Sequence, residues 1–319
     1  MRKIITIMII NTIITTFIIP FFIVSKFSEK TVSENTYYEN PIKIEVYNPE
    51  TETNEETPFE EYIKGVVAAE MPALFNIEAL KAQAVCARTY ALREIEAMGQ
   101  TTDVLPNPSD IGQAYKTKEE LKELWGENFD EYYNNIETAV NETYGEIMVY
   151  NDEPILAVFH STSAGYTENS ENIWESALPY LKSVESSGDI YAPQYETSTE
   201  LSYDKIKELF ISKYPNISFS SEPLISQIKI NSVSDAGYIT SVTVGGVTMS
   251  GLDIRGVLGL RSASFTMTDT GNSIIFTTKG YGHGAGMSQY GAEAMAEEGY
   301  TYKEILNHYY TDIDFKNMN

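Results

Sequence analysis

An uninterrupted apolar run, "IITIMIINTIITTFIIPFFIVS" from Ile4 to Ser25, divides the chain before any other feature is read. No charge breaks it, and it is long enough to cross a bilayer as a helix. Arg2 and Lys3 precede it and favour a cytoplasmic N-terminus, although Lys26 and Lys30 on the far side weaken that bias. A cleaved signal would have a shorter apolar core ending in small residues, whereas this one ends "FFIVSKF". An uncleaved anchor over residues 1–25 is therefore expected. The polar stretch 26–40 then serves as a stalk and residues 41–319 form a domain outside the cytoplasm, held at the cell membrane by a single pass.

Cys86 is the sole cysteine, so no intrachain disulfide can form and the core must hold the fold unaided. At 319 residues and 42% hydrophobic composition the chain can build such a core. A formal net charge of −24 excludes nucleic acid as a partner, because binding phosphate requires a basic surface that releases counterions.

Beyond the stalk, "PIKIEVYNPE" alternates as a first strand. In "TPFEEYIKGVVAAEM" Thr57 can cap a helix, Pro58 suits its first position and Glu60 completes a capping box. A second helix is expected from about Asn76 to Met98, closed by the loop "GQTTDVLPNPSD". The stretch "KTKEELKELWGENFDEYYNNIETAVNET" reads as helical, mostly solvated. Strands "GEIMVY" and "PILAVFHSTS" follow, joined by the turn residues Asn151 and Asp152. From Leu201 come a helix, strands at "SQIKINSV", "YITSVTVGGVTMS" and "SIIFTTKG", and a helix beginning near Met287. Without regular βαβ alternation the class is α+β, mixed helices and antiparallel strands.

Counting back from Glu70, Val67, Val66 and Ile63 fall at helical steps, so the carboxylate continues an apolar stripe. Pro72 disfavours helix at Met71 and puts Glu70 in the last turn, at the negative end of the helix dipole. Desolvation and dipole both favour the neutral acid, the condition for a general acid near neutral pH. The next helix carries two cations on its stripe of Ile77, Lys81, Ala84, Val85, Arg88 and Leu92. Against Glu70 they would lower its pKa, so they belong on an anionic substrate group or on a different carboxylate.

"KGYGHGAGMSQYGAEAMAEEGY" lies between a strand and a helix, yet its glycines alternate at Gly280, Gly282, Gly284 and Gly286 and do not form a dinucleotide fingerprint. The pattern fits a backbone passing close to something, with His283, Gln289 and Tyr290 offering hydrogen bonds. "FHSTSAGYTENSENIW" sets Ser161, Thr162, Ser163 and Tyr166 behind His160, neutral hydroxyls that suit a sugar. The three histidines show no metal-ligand spacing, and no metal or cofactor is expected.

Together, "EEYIKGVVAAEMPALFNIEALKAQAVCARTYAL", "FHSTSAGYTENSENIW", "PYLKSVES", "GLDIRGVLGLRSASFTM" and "GYGHGAGMSQYGAEAMA" resemble the stage II sporulation protein D family, peptidoglycan lytic transglycosylases of endospore-forming bacteria. The resemblance implies that Glu70 is the catalytic acid and base, that Lys81, Arg88 and Ser161 to Tyr166 line a glycan-binding groove, and that the substrate is glycan already stripped of peptides. It also implies a mother-cell membrane complex with stage II sporulation proteins P and M that drives engulfment. Water-dependent glycosidases use two carboxylates, and a muramidase of that kind would need Glu168 as the second. A non-catalytic glycan binder that enhances a partner amidase is the other alternative.

Overall fold

The alternation in "KIEVYN" builds β1 (Lys43–Asn48), which runs antiparallel to β2 (Thr53–Pro58) with Ile44 opposite Thr57. The computed structural model describes residues 43–48, 52–97, 104–105, 112–174 and 176–318; the expected anchor from Ile4 to Ser25 and the stalk lie outside them. Among the described residues no helix is long and apolar enough to cross a membrane. All of them fall in a single compact unit, Ile42–Asn319.

The hairpin takes Thr57 and Pro58, so helix α1 (Phe59–Glu70) starts directly after Pro58 with no side-chain cap. The expected capping box does not form, because the ladder occupies Thr57 and Arg88 claims the Glu60 carboxylate. Helix α2 (Ile77–Ala97) follows, and the expected closing loop includes β3 (Val104–Leu105), parallel to β1. The long solvated helix divides into α3 (Lys118–Trp125), with a true capping box at Thr117 and Glu120, and α4 (Phe129–Glu142), whose Ile136, Ala139 and Val140 are buried.

Strand β4 (Glu146–Tyr150) turns through Asn151 and Asp152, both at positive φ, into β5 (Glu153–Pro154). The expected continuous strand "PILAVFHSTS" breaks there. Its end, β6 (Phe159–His160), pairs in a different sheet, and the short α5 (Ser170–Ile173) follows.

Residues from β7 (Glu196–Ser202) through α6 (Tyr203–Lys213), β8 (Ile228–Val233), β9 (Ile239–Val244), β10 (Val247–Met249), α7 (Gly251–Leu258), β11 (Phe265–Asp269) and β12 (Ser273–Lys279) build a second lobe. Its antiparallel sheets run β10-β9-β8 and β11-β12-β7. Phe210, Val242, Ile274 and Phe276 are fully buried in its core. The chain then returns through β13 (Met287–Ser288), α8 (Gln289–Glu297), α9 (Tyr302–Tyr309) and β14 (Asp314–Asn317) to complete the first lobe.

Helix α2 is the axis of that first lobe. Its Ala82, Ala84, Cys86, Ala87 and Ala91 are fully buried, and side chains this small let α1, α4, α8 and α9 approach closely. Cys86 lies against Tyr310 and burial pushes its thiol up to about 12, which makes it an inert core residue.

Candidate active site

Glu70 is the last residue of α1. Its stripe partners Ile63, Val66 and Val67 are fully buried, while Glu70 itself is only partly exposed. Met71 turns extended and its N–H closes the helix on the Val67 carbonyl at 3.0 Å. Desolvation holds the Glu70 carboxyl above the usual carboxylate range, opposed weakly by the Ala114 N–H at 3.4 Å from Oε1. Among the described residues no side chain hydrogen-bonds or ion-pairs with that carboxyl.

Ala114 reaches Glu70 because residues 112–117 lie as a strap along α1. The Lys116 N–H donates to the Gly65 carbonyl at 3.3 Å, and Gln113 takes the Tyr62 hydroxyl while its amide donates to the Ala87 carbonyl. A Cβ on Gly65 would stand 2.4 Å from the Tyr115 ring and 2.6 Å from the Lys116 oxygen, so only glycine admits the strap.

Helix α8 closes the other side. The Gln289 amide donates to the Glu70 carbonyl at 3.0 Å, and the Tyr290 ring meets Phe75 edge-on at 5.1 Å. The Tyr290 N–H donates to the Ser161 carbonyl at 3.1 Å, bringing the hydroxyl loop beside the helix. Within that loop Ser161 is partly exposed, Tyr166 is 48% exposed, and Thr162 is buried in a bridge with Tyr281. Ser163 is fully buried, donating through its N–H and its hydroxyl to Asp189, which also accepts from Ser288 at 2.6 Å. Burial raises the Asp189 carboxyl, and these serine donors partly offset that rise. Nothing local signals Asp189 in "SSGDIY"; its role arises from partners 26 and 99 residues away.

The glycine loop does pass close to something, and that something is the hydroxyl loop. Gly282 has φ of +123°, and a Cβ there would lie 2.7 Å from the Cβ of His160. His160 is buried and its Nδ1–H donates to the Ala285 carbonyl at 3.0 Å, leaving Nε2 buried without a partner. The His283 Nδ1 accepts from the Ala285 N–H at 3.1 Å. Burial lowers His160 to about 3 and His283 to about 4, so both rings are neutral and hold the two loops together.

The two cations on the α2 stripe, Lys81 and Arg88, go to carboxylates, the second of the two expected uses. Arg88 is fully buried, with Nε and Nη2 on Glu60 at 2.8 and 2.7 Å and Nη1 on the Glu146 carbonyl at 3.0 Å. Lys81 pairs with Glu78 at 2.7 Å and Glu142 at 2.5 Å. Neither has an ammonium or guanidinium to spare for a ligand, which removes both from the groove-lining set. Glu168 is likewise committed: it is buried, accepts from the Asn169 N–H and the Asn172 amide, each at 2.8 Å, and takes the Ser234 hydroxyl. It is poorly placed to activate water. Among the described residues no three His, Cys, Asp or Glu side chains gather as a metal site.

The family model for the stage II sporulation protein matches residues 47–150, which contain Glu70, the strap and α2. Stage II sporulation protein D of Bacillus subtilis (strain 168) is 41% identical over 274 residues, covering 85% of this chain and 78% of the relative. The chain belongs to the stage II sporulation protein D family. Stage II sporulation protein D of Bacillus amyloliquefaciens is 40% identical, over 86% of this chain and 79% of its own length. A more distant relative, the amidase enhancer of Bacillus subtilis (strain 168), is 30% identical over 78% of this chain and 39% of its own length. The similarity to the stage II sporulation protein D relatives spans both lobes of the fold.

Proposed function

We propose that this member of the sporulation family is a peptidoglycan lytic transglycosylase that cleaves the bond between muramic acid and N-acetylglucosamine in peptide-free strands. The observation that carries the reading is the Glu70 carboxyl, desolvated, raised in pKa and free of side-chain partners among the described residues. One carboxyl of this kind suffices for a lytic reaction. Glu70 gives its proton to the leaving glycosidic oxygen as the C1–O bond breaks. As a carboxylate it then removes the proton of the muramic acid C6 hydroxyl, whose oxygen bonds to C1 and closes the anhydro ring. The proton is returned to Glu70 and no water is consumed. Nucleophile and electrophile share one sugar, so the groups that hold it supply much of the acceleration.

By the same reading the chain acts on septal peptidoglycan during engulfment, at the mother-cell membrane, anchored through Ile4 to Ser25 and working beside stage II sporulation proteins P and M. Ser161, Tyr166 and Tyr290, which retain exposed surface, are the groove positions that best suit sugar contact. The relative named amidase enhancer supports a second reading, a non-catalytic glycan binder that stimulates an amidase.

Mass analysis of peptide-free strands incubated with the full chain in detergent separates the readings. Anhydro ends are expected; reducing ends would indicate a muramidase, and intact strands would indicate the binder.

A further inference from the structure

In a chain with 22 Lys and Arg against 46 Asp and Glu, an arginine that lacks a carboxylate needs a reason. In the first lobe Lys64, Lys81 and Arg88 sit on carboxylates, and the partly buried Arg93 donates to the Tyr180 hydroxyl at 2.8 Å. Arg255 on α7 and Arg261 just beyond it have no side-chain acceptor among the described residues. Arg255 is half-buried and its Nε donates to the Arg261 carbonyl at 3.0 Å; Arg261 has a buried Nε without a partner and a guanidinium 4.1 Å above the Tyr281 ring. Among the described residues neither pairs with Asp or Glu. Burial of Arg255 works against its charge, and its field helps to keep His160 and His283 neutral. Enclosing positive charge without a counter-charge is unfavourable unless a ligand brings the anion.

The surroundings define that ligand. The Gly282 N–H donates to the Arg261 carbonyl at 3.0 Å, so the pair is fixed to the glycine loop whose far end, Gln289, holds the Glu70 carbonyl. Tyr281 is 45% exposed, and Trp174 is 36% exposed with its ring 5.6 Å from that of His283. Exposed aromatic rings beside arginines suit a sugar ring that bears a planar anion, since rings stack on the former and a carboxylate accepts a paired bond from the latter. We infer that Arg255 and Arg261 form an anion subsite for the carboxylate carried by a sugar ring, the lactyl group of muramic acid, with Tyr281 and Trp174 against the ring. The inference rests on the glycan reading above and gives the lactyl group a site that Lys81 and Arg88 cannot provide.

The test uses the full chain in detergent carrying Glu70→Gln, which binds strands without cutting them. Calorimetric titration compares peptide-free strands with the same strands after their carboxylates are converted to neutral methylamides. Native strands should bind at least about tenfold more tightly, with an advantage that shrinks as salt rises. Adding Arg255→Gln and Arg261→Gln should erase that advantage while leaving affinity for the neutralised strands unchanged, which also shows that the variant is folded; Arg255→Lys should retain part of it. Equal affinity of the two strands for the parent protein, or an advantage that survives in the double variant, overturns the subsite. Failure of the parent to bind either strand overturns the glycan reading itself, and the subsite with it.

Discussion

The side-chain amide of Gln289 donates to the main-chain carbonyl of Glu70 at 3.0 Å, joining residues 219 positions apart. It ties the start of α8 to the end of α1 and fixes the helix turn that carries the carboxyl. Gln289→Ala should lower kcat on peptide-free strands by about tenfold or more, since small displacements of a catalytic group are costly. The thermal midpoint should change little, as one such bond contributes only about 1 kcal/mol. An equal loss in both would make Gln289 a general structural residue.

Glu70→Gln should reduce turnover by about 10²- to 10⁴-fold, the usual range for loss of a general acid or base, with strand binding retained. Product release measured alongside binding checks this.

The raised Glu70 pKa sets the sign of two pH effects. Turnover that needs the protonated acid should persist above 4.5, the carboxyl's ordinary value, before it falls. Stability follows the same direction, because the folded state binds the proton more tightly than the unfolded chain. This contribution is complete below 4.5 and is lost as pH rises through the higher folded value. The thermal midpoint of Glu70→Gln should therefore gain on the parent as pH is raised through that window.

His160 and His283 act in the opposite sense. Their folded values of about 3 and about 4 lie below the ordinary 6.5, so their contribution is present above 6.5 and fades as pH falls toward those values. Thermal melts should show acid destabilisation beginning below 6.5, flattened in a His160→Gln, His283→Gln variant. An unchanged slope in that variant would assign the acid loss to other groups.

Arg88→Ala leaves Glu60 enclosed and unpaired, and breaking one partner of such a buried pair costs about 3–5 kcal/mol. Denaturant unfolding should register that loss, while KM of whatever fraction stays folded should hold. A raised KM without loss of stability would return Arg88 to the substrate.

Gly65→Ala places a methyl group 2.4 Å from the Tyr115 ring. The strap must lift, taking the Ala114 N–H away from Glu70, and overpacking of this kind costs about 1–3 kcal/mol. Faster proteolysis of residues 112–117 would report it.

Much of α1 and the setting of Glu70 could be read along the chain, because the apolar stripe through Ile63, Val66 and Val67 is a local period and Pro72 is a local stop. The same local reading misplaced the cap: "TPFE" has the right letters, but Thr57 is held by Ile44 in a hairpin that no helical rule anticipates. The hydroxyl loop shows the difference most clearly. Ser161, Thr162 and Ser163 look equivalent in sequence, yet Ser163 is committed to Asp189 and Thr162 to Tyr281, and only Ser161 keeps open surface among the three.

By itself, then, the sequence determined which groups are chemically unusual: an acid on an apolar stripe, cations on another, glycines alternating with polar residues. Composition and period are properties of neighbouring residues, so the chain states them directly. The tertiary structure decided what each group is matched with. Arg88 meets Glu60 from 28 positions away and Gln289 meets Glu70 from 219 away, while Arg255 and Arg261 meet no carboxylate among the described residues. Charges and donors are satisfied through space, and those distances exist only once the two lobes have folded.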